Sequence, residues 1–154
     1  MAKKEDFLEV FPDTKVYFDK VVSDAGLNHK ITFNIVANNK LKVIGEVKKS
    51  SPLQQFLTDI DATLILNEII FEQLPVDLKP LVIEELICPV YVNPETSAVT
   101  IEKADVQAFS GFLKKYGYEK YEIIQESIKT LFAKQAEEEQ KKKDAQQKIK
   151  MKFK

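Results

Sequence analysis

Apolar positions fall into short runs whose spacing switches between helical and strand periods along the chain. Asp13 is a good N-cap, and Phe18, Val21, Val22 and Ala25 follow at helical spacing, with Gly26 as the terminating residue. His29–Ala37 alternates, placing Ile31, Phe33 and Ile35 on one face, and predicts a strand that begins at His29. Asn38-Asn39 predicts a turn, and Leu41–Lys49 its partner strand in a hairpin, with Gly45 marking a bulge. Ser51 caps a short helix from Pro52 to Leu57. Thr63–Leu66 is apolar enough for a buried central strand, and Asn67–Leu74 a short helix or turn.

Asp77 predicts the start of a strongly apolar helix through Leu81, Ile83, Leu86 and Ile87, stopped by Pro89. Val90–Asn93 and Val99–Glu102 flank a Pro94–Ser97 turn and predict a second hairpin. Asp105–Tyr116 predicts an amphipathic helix through Val106, Phe109 and Leu113, closed by Gly117. Tyr121, Ile124, Ile128, Leu131 and Phe132 form the stripe of a last helix. Beyond Ala133 no core face remains. Residues 134–154 carry eight lysines against four acids and predict a solvated, charged helix that continues from the core and frays towards Lys154. The expected organisation is one α+β domain over residues 1–133, a small mixed sheet with packed helices, followed by a lysine-rich tail over 134–154.

Composition narrows the chemistry. The net charge is −1 and all 23 basic residues are lysine, so bidentate arginine contacts to phosphate or guanine are excluded. Cys88 is the single cysteine, which excludes an intramolecular disulfide and fits a cytoplasmic setting. His29 is the single histidine and reads as a polar residue at the start of a strand. No apolar run approaches the roughly 20 residues of a membrane helix, and the first residues lack the apolar core of a secretory signal. No membrane partner is expected.

Two stretches carry a resemblance: ANNKLKVIGEVKKSSPLQQFLTDIDATLILNE, and LPVDLKPLVIEELICPVYVNPETSAVTIEKADVQAFSGFLKKYG. The order of features is a lysine-rich strand, Ser51-Pro52-Leu53, the strand Leu64–Glu68, the Leu81–Cys88 helix, a hairpin, and Asp105–Gly117. It resembles the phage metallopeptidases, a zincin-like family, over roughly residues 14–117. In that family a His-Glu-x-x-His helix binds zinc, and its glutamate polarises the zinc-bound water. The resemblance places Glu84 at the first histidine, Glu85 at the catalytic glutamate and Cys88 at the second histidine. It places Ala104 at the position just before Asp105, where a third ligand is expected. Only the central glutamate is retained.

A catalytic zinc needs about three protein ligands and an open position for water. The resemblance therefore implies a pseudoenzyme, with no catalytic residue, no metal and no cofactor. The implied work is protein–protein binding, in a phage assembly or against a host factor, in a host cytoplasm or a virion. One rival is an active metal-dependent hydrolase that draws an atypical ligand set from Glu84, Glu85, Cys88 or Asp105. The other is a nucleic-acid accessory protein that uses the tail lysines. The bland expectation on the helix itself is a solvent-facing Glu84 and a Cys88 packed as a small hydrophobe. The aromatic residues Phe109, Phe112, Tyr116, Tyr118 and Tyr121 read as helix–helix packing around Gly117.

Overall fold

In the computed structural model, residues 6–96, 98–101 and 112–152 are described. The chain is α+β: a three-stranded mixed sheet and a two-stranded hairpin, with helices packed around them. Helix α1 spans Pro12–Asp24 and buries Phe18, Val21 and Val22. It starts two residues earlier than Asp13 as N-cap implies, because Pro12 occupies its first turn with φ already set for a helix. The cap position is Phe11, whose N–H donates to the buried Glu68 carboxylate at 3.0 Å. That bond ties the start of α1 to a residue 57 positions along the chain. Gly26 follows at φ 72, a left-handed conformation that glycine adopts without strain.

Strand β1 is Phe33–Ala37, shorter than the run that begins at His29. Leu27–His29 instead close a 3-10 turn, with the N–H groups of Lys30 and Ile31 both donating to the Leu27 carbonyl. Strand β2 is Gly45–Lys49 and β3 is Ala62–Leu66. The sheet order is β1-β3-β2, with β1 parallel and β2 antiparallel to β3.

The expected β1–β2 hairpin is not formed; β3 lies between the two strands. The reason is visible in the side chains. Ala62, Leu64, Ile65 and Leu66 are all buried, so β3 loses apolar surface to neighbours on both faces and takes the central place. Lys48 and Lys49 are exposed, which suits β2 only to an edge. Asn38 and Asn39 do make a turn, but it caps a helix. Asn39 Oδ1 accepts from Glu68 N at 3.1 Å and Ile69 N at 3.3 Å. Buried Asn67 completes the corner, accepting from Ile70 N and donating to the Leu41 carbonyl. These bonds set the start of α3, Glu68–Glu72.

Between β2 and β3, α2 spans Pro52–Thr58 and opens with a full capping box between Ser51 and Gln54. It buries no side chain: Leu53, Phe56 and Leu57 are 66%, 82% and 69% exposed.

Helix α4 spans Lys79–Ile87, two residues later than Asp77 predicts, and buries Val82, Ile83 and Ile87 against α1 and the sheet. Gly45 does not make a bulge; it permits contact. A Cβ there would lie 2.9 Å from Leu86 Cδ1 and 3.0 Å from the Ile65 carbonyl oxygen. Strands β4 (Val90–Val92) and β5 (Val99–Ile101) pair as the expected hairpin, and β5 packs beside β2. Residues 112–116 are helical, and Gly117 at φ 84 turns the chain into one helix over Tyr118–Lys152. That helix buries Ile124 and Ile128, and residues 141–151 are all exposed, as the charged tail pattern predicts. Among the described residues no helix is long and apolar enough to cross a membrane.

Candidate functional site

Helical geometry puts one face of α4 in the core and leaves Glu84 to meet residues 115 and 116, and Glu85 to meet the long helix. Glu84 is not the solvent-facing residue expected. Its Oε1 accepts from Lys115 Nζ at 2.7 Å, and its Oε2 accepts from the Tyr116 hydroxyl. Lys115 gains from this hydrogen bond, which pushes its pKa up to about 12. Burial first, and the bond to Glu84 second, raise the Tyr116 phenol above its ordinary range.

Glu85 points towards the long helix, where the Gln125 amide donates to its two carboxylate oxygens at 3.0 and 3.1 Å. That single neutral partner does not offset desolvation. Burial pushes the Glu85 pKa up to about 7 despite the Gln125 bond. Cys88 is half-buried, and its Sγ donates to the Glu85 carbonyl at 3.0 Å. Burial, followed by the Glu85 and Glu84 carboxylates, pushes this thiol up to about 11. At neutral pH it is a thiol, which is not the nucleophilic form.

The i, i+4 spacing sets Glu84 and Cys88 on one face of α4, while Glu85, one position on from Glu84, turns to Gln125 instead. Ala104 and Asp105 lie outside the described residues, as do Val106, Phe109 and Ser97. Exposed His29 sits in the turn after α1. Among the described residues no three histidine, cysteine or acidic side chains converge in a group able to hold a metal.

Three residues that complete the arrangement, Lys115, Tyr116 and Gln125, are missed by motif spacing. Lys115 and Tyr116 stand 31 and 32 residues from Glu84 and carry no local signal. Gln125 does carry one: it is a polar side chain set within the Tyr121–Ile124–Ile128 stripe. Four of the five aromatic residues, Phe112, Tyr116, Tyr118 and Tyr121, pack as expected around the Gly117 corner. Phe112 lies 5.0 Å from Tyr116 and 6.5 Å from Tyr121 between ring centroids, and Tyr118 lies 6.3 Å from Tyr121.

Beside Glu84 a cleft of about 200 Å³ opens between the end of α1 and the start of α4, lined by Lys20, Asp24, Pro80, Glu84, Lys115 and Tyr116. Its floor is an ion pair already formed within the chain. No family model matches the sequence, and comparison with curated proteins and with solved structures likewise gives no match.

Proposed function

We propose that the chain is a non-catalytic protein on a zincin-like, metallopeptidase-like scaffold, acting by protein–protein binding in a phage assembly or against a host factor. The observation that carries this reading is the state of the α4 face. Each of the three α4 groups at positions the resemblance gives to zinc chemistry already has a partner within the protein. Glu84 is held by an ammonium and a phenol, Glu85 by an amide, and the Cys88 thiol by a carbonyl. The Lys115 charge compensates the Glu84 carboxylate where the parent chemistry uses a divalent cation. A water there keeps its ordinary pKa near 16, and no strong nucleophile forms at neutral pH.

Exposed apolar surface supports binding as the alternative occupation. Leu53, Phe56 and Leu57 stand at i, i+3 and i+4 on α2, a helix rigidly capped yet buried nowhere. The test is co-purification from infected cells with the native chain and with the Phe56→Asp/Leu57→Asp variant, alongside a peptide-hydrolysis assay. The reading expects a partner that is lost with the variant, and no chelator-sensitive hydrolysis. Hydrolysis that a chelator abolishes overturns it.

A further inference from the structure

Charge is segregated along this chain to a degree the near-neutral total conceals. Residues 141–154 hold seven of the 23 lysines and one of the 24 acidic residues. They carry a net charge of +6, and residues 1–140 carry −7. The basic segment is the distal part of the Tyr118–Lys152 helix, and every residue from Lys141 to Met151 is exposed. Glu137, Glu138 and Glu139 precede Lys141, Lys142 and Lys143 at i, i+4 in the favourable orientation, which supports a helix with no core beneath it. Lys148, Lys150, Lys152 and Lys154 have no acidic residue four positions before them except Asp144 before Lys148.

We infer that this helical arm binds duplex DNA through its phosphates, independently of sequence. At 3.6 residues per turn, Lys141 and Lys148 lie on one side, and Lys143 and Lys150 lie roughly on the opposite side. A helix about 10–12 Å across fits the roughly 12 Å major groove, where lysines on both sides meet the two phosphate strands. The absence of arginine removes the rigid planar fork suited to bidentate base reading, and lysine meets phosphate as a point charge, so charge dominates the binding. The acidic remainder repels the same polyanion and confines contact to the arm. An anionic bilayer is a poorer match, since interfacial helices need one apolar face. Ile149 and Met151, 57% and 80% exposed, fall about 200° apart around the helix.

The test is fluorescence anisotropy of a labelled duplex of arbitrary sequence, titrated with the full chain at several salt concentrations. About five phosphate contacts give a slope of log K against log salt of roughly −4 to −5, a loss of several hundredfold between about 50 and 200 mM. Lys148→Gln/Lys150→Gln/Lys152→Gln lowers that slope by about 3. A control with equal charge change, Lys30→Gln/Lys42→Gln/Lys49→Gln, leaves it unchanged. Circular dichroism verifies that both variants fold. No binding at low salt, equal losses in the two variants, or binding to anionic phospholipid vesicles but not to the duplex each overturns the inference.

Discussion

Replacing Glu85 by Gln is expected to stabilise the protein above neutral pH and to do nothing at acid pH. Its carboxyl has a pKa of about 7 in the folded protein against an ordinary value of 4.5, with burial as the main cause. Between those values the folded state binds more proton than the unfolded state, so unfolding free energy falls as pH rises through this window. Below pH about 4.5 both states hold the proton and the group costs nothing. Above about 7 the full difference is lost, at most about 3 kcal/mol for such a displacement. The side chain is only half-buried, and screening reduces the expected figure to about 1–2 kcal/mol. A glutamine keeps an amide partner for Gln125 and carries no charge. The assay is urea unfolding followed by circular dichroism, at several pH values between about 4 and 8, with each variant's stability taken relative to the native chain so that other titrating groups cancel. Glu85→Gln should gain about 1–2 kcal/mol at pH about 8, a few degrees in melting temperature for a chain of this size, and close to zero at pH about 4. A difference that does not change with pH, or a loss at pH 8, refutes the desolvation argument.

Gly45→Ala should destabilise by about 1–3 kcal/mol in the same unfolding assay, because the new methyl meets the Ile65 carbonyl and Leu86 and the backbone oxygen cannot step aside. Tyr116→Phe should cost about 1–2 kcal/mol, since a hydroxyl bonded to the Glu84 carboxylate is removed while the ring packing on Phe112 is kept. Cys88, with its thiol pushed up to about 11, should react with iodoacetamide about a hundredfold more slowly than a free thiol at pH about 8; a rate equal to that of a small peptide thiol contradicts the placement.

Legibility of the fold tracked how local the deciding interaction is. The Ser51 capping box, the β4–β5 hairpin and the Ile124–Ile128 stripe rest on residues within a few positions of one another, and the sequence shows them. The β1 and β2 strands are adjacent in sequence but not in the sheet, so the turn between them does not make a hairpin. Pairing was decided instead by Ala62–Leu66, whose side chains are buried on both faces. The turn at Asn38 and Asn39 is legible from residue type, but their bonds reach Leu66, Glu68 and Ile69 across almost 30 positions. The site was legible in the same half measure. Helical spacing sets Glu84 and Cys88 on one face, with the two glutamates adjacent in sequence. What their carboxylates meet depends on how residues 112–116 and the long helix dock on α4, which no motif spacing encodes.

The account turns on whether the α4 face is closed by the protein's own donors. The direct measurement is zinc content of the chain purified without chelator, followed by titration of zinc against a chromophoric chelator of known affinity. The account predicts far less than one zinc per chain and no competition with the chelator. One tightly held zinc per chain, displaced when Glu84 and Cys88 are replaced by alanine, would contradict it.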